Sequence, residues 1–141
     1  MYCYEYPRAA ITADIIVLNK QKTHILLIKR KNEPFKNKWA FPGGFMDMNE
    51  TIEQTAKREL QEETSINCNE YKQFRVYSEV NRDPRHRTLT VCFYCFVDNA
   101  ATNAEAGDDA SEIQWFKLNN LPELAFDHNT ILNDFINEKL F

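Results

Sequence analysis

The sequence has no hydrophobic segment approaching the roughly 20 residues that a membrane-spanning helix needs. Its first residues also lack the basic and then apolar layout of a secretory signal peptide. Both absences predict a cytoplasmic protein with no membrane partner. At 141 residues, a single domain spanning residues 1–141 is the simplest organisation, and such a chain can bury a core without disulfide or metal staples.

Cysteine is present, but its spacing indicates neither a disulfide framework nor a metal site. The four cysteines, Cys3, Cys68, Cys92 and Cys95, are scattered, and a cytosolic chain would keep them reduced. Cys92 and Cys95 form a C-x-x-C pair within an apolar, strand-like segment. Because residues three apart on a strand point to opposite faces, we expect these two to be core residues that do not share a metal ion.

An excess of positive charge is absent too, since the net charge is −4. A protein that coats nucleic acid would present a basic face, so nucleic acid is not an expected partner. An acidic protein is also a poor receptor for an anionic substrate unless metal ions neutralise the charge of that substrate.

What the sequence does contain is a series of short apolar segments interrupted by two helical ones. Thr51 and Gln54 form a capping box before a helix whose apolar residues recur every four positions. Pro42-Gly43-Gly44 indicates a turn, and Asp127 is a candidate cap of the final helix. Strands are predicted at 9–18, 24–31, 39–41, 71–80, 89–97 and 113–117, helices at 51–64 and after 127, and a polar loop at 99–111. This order predicts an α/β (α+β) fold, a mixed sheet flanked by helices.

The predicted helix at 51–64 carries three acidic residues on one face. At about 100° per residue, Glu59, Glu62 and Glu63 fall within an arc of roughly 100°. The arc overlaps the apolar stripe, so the carboxylates lie beside the core, where they are costly unless a cation neutralises them. Carboxylate oxygens suit Mg²⁺ or Mn²⁺. The alternative is a solvated helix face on which Arg58 pairs with Glu62.

The spacing of these acids extends back to the glycine pair. The segment 44–66 matches eight of the nine fixed positions of the pattern G-x5-E-x7-R-E-U-x-E-E-x-G-U, where U is aliphatic. The matching residues are Gly44, Glu50, Arg58, Glu59, Leu60, Glu62, Glu63 and Ile66. On this motif the chain resembles the Nudix hydrolase family, which implies an α/β/α sandwich. Ser65 replaces the pattern's glycine, so either it is strained by about 1 kcal/mol in a left-handed conformation or the helix continues.

The resemblance implies a metal site and residues that keep it in shape. The metal would be Mg²⁺, with Mn²⁺ as an alternative, and the implied site consists of Glu59, Glu62, Glu63 and Gly43. Arg58 and Glu50 would hold the loop and helix together by charge pairing. Gly44 would let the backbone approach the site closely.

Candidates for the general base are Glu63 and two acids of the loop before Trp115. The resemblance implies a further carboxylate in that loop, and Asp109, six residues before the tryptophan, fits best. Glu112, three residues before it, is the second candidate. An ordinary acidic turn is the alternative for both.

Substrate-binding candidates lie outside the helix, in segments 81–85, 106–110 and 124–128, which resemble those of ADP-ribose pyrophosphatase-like Nudix proteins. Arg82, Arg85 and Arg87 would donate to phosphate or ribose as forked donors, or else form a basic hairpin tip. Phe126 would stack on a base or anchor the final helix. His128 is expected to cap or orient and not to catalyse.

Together these features predict a Mg²⁺-dependent pyrophosphohydrolase that acts on a nucleoside diphosphate linked to another moiety. The first expectation is cleavage of ADP-ribose to AMP and ribose 5-phosphate. The alternatives are hydrolysis of oxidised or other nucleoside triphosphates and, in a different class, non-catalytic sensing of a nucleotide sugar. The resemblance also suggests a homodimer, in which the tyrosine-rich N-terminus supplies an interface unless it packs on its own sheet.

Overall fold

The computed structural model describes residues 1–98 and 110–140, and within these ranges a mixed seven-stranded sheet carries one helix on each side. The elements are β1 (Ala10–Asn19), β2 (His24–Arg30), β3 (Trp39–Ala40), β4 (Gly43–Phe45), α1 (Ile52–Thr64), β5 (Lys72–Tyr77), β6 (Thr88–Val97), β7 (Ala110–Lys117) and α2 (His128–Glu138). The predicted α/β fold class is confirmed. No helix in these ranges is long and apolar enough to cross a bilayer. The single domain and the cytoplasmic location stay predictions.

Strand β1 organises the sheet because both of its edges are paired. Along one edge it runs parallel to β6 over its whole length. The other edge is divided: β2 pairs with the end of β1, where Val17 lies opposite Leu26, and β4 pairs with its beginning, where Asp14 lies opposite Gly43. The path through the sheet is β3-β2-β1-β6-β5, with β4 on β1 and β7 on β2. The divided edge brings β4 against the strand that carries Asp14.

The two faces of the sheet bury separate apolar cores. Alternate residues of β1 point to opposite faces, so Ile15 packs with Leu60 of α1, and Ile16 packs with Phe135 of α2. Cys95 belongs to the α1 side and Cys92 to the α2 side, and both are free and buried. The expectation that the C-x-x-C pair faces two ways is confirmed.

Three local predictions are wrong. Gly43 and Gly44 belong to β4 and not to a turn, because their backbone pairs with β1; strand patterns read from side chains cannot reveal this. Strand β7 begins at Ala110, inside the predicted loop, where it pairs with Arg30. Asp127 precedes α2 but makes no side-chain capping bond to it.

The two ends of α1 show how local sequence determines its length. At the start, Thr51 accepts from the Gln54 backbone, and the Gln54 side chain accepts from the Thr51 backbone, so the predicted capping box is confirmed. At the end, Ser65 adopts φ 62° and ψ 14° and donates its N–H to the Gln61 carbonyl. The helix therefore stops at Ser65, and this serine occupies a left-handed conformation that favours glycine.

Ser65→Gly is expected to stabilise the protein by about 0.5–1 kcal/mol, because it relieves the left-handed strain at some entropic cost. Urea denaturation measures the change. Lys57→Gly, at an exposed position inside α1, is the opposite-sign control and should destabilise by about 1 kcal/mol. A loss of stability in Ser65→Gly would show that Ser65 is not strained.

Candidate metal and substrate site

A cavity of about 420 Å³ opens between β4, α1 and the segment that precedes α2. It collects most of the side chains that the sequence nominated, although they come from four separate stretches of chain. The nominated residues that line it are Gly43, Gly44, Arg58, Glu59, Glu63, Arg82, Arg85 and Phe126. The cavity is therefore the candidate functional site.

The other nominated residues lie away from the cavity lining. Glu50 and Glu62 lie outside the lining, and the carboxylates of both accept hydrogen bonds from the Arg58 guanidinium. Arg87 is exposed and donates to the Glu79 carbonyl. Glu112 lies on β7, where it pairs with Lys29 at 3.3 Å. Asp109 falls outside the described residues.

Glu63 and Glu59 form a buried carboxylate pair at the floor of the cavity. Glu63 is 5% exposed, and its Oε1 accepts a 3.3 Å bond from the Gly43 N–H. Its Oε2 is buried and has no hydrogen-bond partner within the described residues. Burial raises the pKa of Glu63 well above its ordinary value, and the adjacent Glu59 carboxylate raises it further. Burial likewise raises the pKa of Glu59.

This pair has the properties of a site for a hard divalent cation. Two neighbouring carboxylates, one with an oxygen that lacks a partner, carry more negative charge than the surrounding protein neutralises. Glu62 is separate from them, because its half-exposed carboxylate lies 3.2 Å from the Arg58 Nη1. Among the residues that the structure describes, no three acidic, histidine or cysteine side chains converge on one point. Glu59 and Glu63 are therefore the candidate cation ligands that line the cavity together, and Glu62 lies apart from them.

The two glycines of β4 provide the space that this arrangement needs. A Cβ on Gly44 would lie 2.4 Å from the Glu59 carboxylate. A Cβ on Gly43 would lie 2.3 Å from the Ala13 carbonyl and from the Asp14 Oδ1. Neither glycine has a positive φ, so close approach, not backbone freedom, explains both.

Arg58 joins the loop 45–50 to α1. Its guanidinium binds Glu50 through two bonds of 2.7 and 3.0 Å, and it binds Glu59 at 2.8 Å. It also donates to the Phe45 carbonyl at 3.0 Å. These bonds raise the pKa of Arg58 and lower that of Glu50 to about 2. Arg58 therefore fixes the position of the Glu59 carboxylate.

A second polar group, of which the sequence analysis named His128 but missed Asp14, also lines the cavity. The buried Asp14 carboxylate accepts from the Thr90 hydroxyl at 2.7 Å and lies 3.7 Å from the His128 Nε2. His128 Nδ1 accepts from the Phe41 N–H, which leaves Nε2 to carry the proton toward Asp14. Burial alone would raise the pKa of Asp14, but the contacts with His128 and Thr90 bring it below its ordinary value. A lone acid inside the apolar segment 9–18 was the available signal.

Two of the three arginines nominated for substrate binding form ion pairs with acids of the same chain. Arg82 binds Asp127 through two bonds of 2.8 and 2.9 Å, and its side chain is 4% exposed. Arg85 binds Asp83 through bonds of 2.8 and 3.1 Å. Because the Asp127 carboxylate binds Arg82, it does not cap α2.

Phe126 lies at the mouth of the cavity among cationic and aromatic groups. Its ring centroid is 4.9 Å from the Arg30 guanidinium carbon and 5.7 Å from that of Arg85. The ring of Phe35 is 4.8 Å away. Arg30, at the end of β2, also lines the cavity and was not nominated, because one basic residue at the end of a strand gives no distinctive pattern.

The comparisons with known proteins agree with this geometry. The NUDIX domain family matches residues 8–136. The chain belongs to the Nudix family. The predicted membership is confirmed, and hydrolases of this family generally depend on a divalent metal.

Two relatives and one solved structure illustrate the similarity. The chain is 43% identical over 134 residues to an ADP-ribose pyrophosphatase of Methanocaldococcus jannaschii, covering 95% of this chain and 77% of that protein. It is 31% identical to an ADPR-responsive transcriptional repressor of Acinetobacter baylyi, covering 91% of this chain but only 53% of the repressor. The NUDIX domain of Shewanella oneidensis NrtR, solved with ADP ribose, superposes with a TM-score of 0.86 at 27% identity, covering 96% and 91% of the two chains.

Gly44→Ala is expected to weaken metal binding, whereas Gly43→Ala is expected to lower the stability of the fold. In Gly44→Ala the new methyl group meets the end of a flexible side chain, so Glu59 should move, Mn²⁺ affinity should fall about tenfold or more, and the stability should change little. In Gly43→Ala the new methyl group meets backbone atoms of Ala13 and Asp14. This variant should therefore destabilise the fold by about 1–3 kcal/mol. Metal titration and urea denaturation separate the two. Unchanged Mn²⁺ affinity in Gly44→Ala would remove Glu59 from the metal site.

Glu50 should make stability depend on pH in the acid range. Its pKa is lowered from 4.5 to about 2 in the folded protein, so its stabilising contribution is complete above pH 4.5 and is lost as the pH falls toward 2. The metal-free wild type and Glu50→Gln should therefore differ in unfolding free energy above pH 4.5 and converge near pH 2. Glu53→Gln, on the exposed face of α1, should follow the wild type throughout. A constant difference between wild type and Glu50→Gln would contradict the assignment.

Proposed function

We propose that the chain hydrolyses ADP-ribose, or a closely related nucleoside diphosphate sugar, to AMP and a sugar phosphate in a Mg²⁺-dependent reaction. One observation carries the proposal. The same cavity holds the buried Glu59–Glu63 pair at its floor and the arginine-flanked Phe126 ring at its mouth. A nucleoside diphosphate sugar has the corresponding parts: a charged diphosphate at its centre and a flat aromatic base at one end.

The metal would be held by Glu59 and Glu63, with Glu62 at the rim and the Gly43 backbone alongside. When bound, it supplies charge neutralisation of the diphosphate and a water of lowered pKa. Hard carboxylate oxygens favour Mg²⁺, and Mn²⁺ fits the same donors. A cation there also resolves how a protein of net charge −4 accepts an anion.

The protein's own groups then orient the reaction. Arg58 fixes the Glu59 carboxylate, and the Gly43 N–H fixes one oxygen of Glu63, so the other oxygen faces the site. In the reaction, water adds to phosphorus, the bond from that phosphorus to the bridging oxygen breaks, and a proton passes from the water to a base. Glu63 is the candidate base within the described residues. Asp109 stays a candidate, and Glu112 is a weaker one because it pairs with Lys29 outside the cavity.

Non-catalytic sensing is the second candidate function, and the similarity to an ADPR-responsive repressor favours it. The chain spans about half the length of that repressor. The same cavity would bind the same ligand in both cases, so ligand binding does not distinguish the two functions. Turnover does.

A homodimer is also part of the proposal. Tyr2, Tyr4 and Tyr6 are exposed. Tyr2 stacks on Tyr4, and the Arg8 guanidinium lies over the Tyr4 ring. This leaves an aromatic surface available to a second copy.

A substrate panel with Mg²⁺ or Mn²⁺ tests the proposed activity, with the products identified by chromatography. ADP-ribose should give the highest kcat/KM and yield AMP and ribose 5-phosphate. Glu63→Gln should lower kcat by about 10²–10⁴-fold, and Glu53→Gln on the same helix should not. If 8-oxo-dGTP is turned over faster than ADP-ribose, the preferred substrate is an oxidised nucleoside triphosphate and not ADP-ribose. Tight ADP-ribose binding without turnover of any panel member would favour the sensing function.

A further inference from the structure

The peptide unit between Pro42 and Gly43 is held at both of its ends. Its carbonyl accepts a 2.9 Å bond from the Ile15 N–H of β1, and its N–H donates a 3.3 Å bond to Oε1 of Glu63. A trans peptide unit is planar, and its C=O and N–H point in opposite directions. The orientation of this one plane therefore determines whether the N–H reaches Glu63, and that orientation depends on what fixes the chain just before Pro42.

His128 fixes the chain at that point. Its Nδ1 accepts from the Phe41 N–H at 3.2 Å, and its ring stacks on the Phe41 ring with the centroids 4.4 Å apart and the planes 10° from parallel. The ring of Pro42 then restricts the next φ to about −65°. A buried side chain of α2 is thereby linked, through two residues of backbone, to the bond that Glu63 accepts.

Asp14 keeps the imidazole in the tautomer that this bond requires. A backbone N–H only donates, so His128 Nδ1 carries no proton and the proton of the neutral ring lies on Nε2. Nε2 faces Oδ2 of Asp14 at 3.7 Å, and this oxygen also accepts from the Thr90 hydroxyl. Burial raises the pKa of Asp14, but His128, Thr90 and Arg82 bring it below its ordinary value. The carboxylate is therefore available as an acceptor for Nε2–H.

We propose that His128 is a positioning residue for Glu63, because it fixes the backbone whose Gly43 N–H holds the Oε1 atom. Oε2 is then directed to the site, and it is the oxygen of Glu63 that has no hydrogen-bond partner among the described residues. This inference rests on the proposed function and deepens it, since it adds a residue that acts on the candidate metal ligand and base without touching the substrate.

The charge of Asp14 also acts on Glu63 directly, so the test changes the Phe41 bond and leaves Asp14 in place. His128→Asn and His128→Gln form a matched pair that separates the two ring nitrogens. An asparagine places its amide near the position of Nδ1 and can accept from the Phe41 N–H. A glutamine places its amide near the position of Nε2, so it keeps the contact with Asp14 and loses the bond to Phe41.

His128→Gln should lower kcat for ADP-ribose and Mn²⁺ affinity by about 10- to 100-fold each, the range for groups that orient a metal ligand, whereas His128→Asn should stay within about threefold of the wild type. KM at saturating Mg²⁺ should change little in either variant. A histidine that only fills the core predicts the opposite order, because glutamine is closer to it in size and asparagine leaves the larger cavity. His24→Gln, at the start of β2 and outside the cavity lining, is the control and should match the wild type.

Deuterium exchange in the metal-free protein gives a readout that needs neither turnover nor a cation. His128→Gln should speed exchange of the Gly43 amide about tenfold or more, because the segment opens locally, and leave the amide of Phe93 in β6 unchanged. His128→Asn should preserve the slow exchange at Gly43. In the wild type, ¹⁵N spectra should show the proton of His128 on Nε2.

Equal effects of the two variants, or a larger effect of His128→Asn, overturn the proposal. Faster exchange at Phe93 as well as at Gly43 in His128→Gln also overturns it, because His128 would then only stabilise the fold. If either variant does not fold, the wild type decides. A ¹⁵N–¹⁵N coupling across the bond from Phe41 to His128 Nδ1, together with slow exchange at Gly43, supports the role, and absence of either overturns it.

These measurements separate the inference from the proposed function. If no substrate is hydrolysed, yet His128→Gln weakens Mn²⁺ binding and exposes the Gly43 amide while His128→Asn does not, the proposed activity fails and the role of His128 stands. If the wild type and His128→Gln hydrolyse ADP-ribose with equal kcat, the activity stands and the role of His128 fails.

Discussion

The burial of Glu63 beside Glu59 is the constraint on which the rest of the site depends. The two residues are four apart on α1, and the same turns of the helix pack Leu60 into the core, so neither carboxylate can turn to bulk water without unpacking the helix. Both burial and like charge disfavour the ionised pair. The Arg58 contact to Glu59 and the Gly43 N–H bond to Glu63 Oε1 are partial remedies, whereas Glu63 Oε2 has no hydrogen-bond partner among the residues that the structure describes. A cation, as proposed for this site, would offset the remaining negative charge.

The glycines of β4 and the Arg58 contacts follow from that constraint. Strand β4 approaches so closely that a Cβ on Gly44 would overlap the Glu59 carboxylate, so the strand itself closes the floor of the cavity. Glu50, in the loop before α1, accepts hydrogen bonds from the Arg58 guanidinium and, at 2.8 Å, from the Thr55 hydroxyl. The acids of the motif thus divide into two groups. Glu59 and Glu63 line the cavity together with Arg58, whereas Glu50 and Glu62 lie outside the lining and pair with that arginine.

The sequence predicted what depends on local periodicity and fixed spacing. A strand at β1 and the capping box at Thr51 follow from patterns within single segments, and the structure confirms both. The sandwich was implied by the resemblance that the Nudix motif carries, and the observed sheet with a helix on each side agrees with it. It did not reveal how Gly43 and Gly44 enter the sheet, because a glycine carries no side-chain pattern and its pairing depends on distant β1. It also did not reveal Asp14 or Arg30. Their place in the cavity depends on distances between separate segments, which patterns within one segment do not give.

The segment 124–128 shows why sequence similarity near a binding site need not mean direct contact. Ala125 donates its N–H to the Trp39 carbonyl, Asp127 holds Arg82, and His128 accepts from the Phe41 N–H. Two other parts of the chain, segment 39–41 and the Arg82 side chain, are thereby tied to one short stretch. Phe126, between these anchors, has φ 52°, a left-handed conformation that costs a non-glycine residue about 1 kcal/mol or more. Such strain persists only where the surroundings over-determine it. The fixed neighbours supply that condition, so the orientation of the Phe126 ring is imposed by the anchors on either side and not by its own backbone preference.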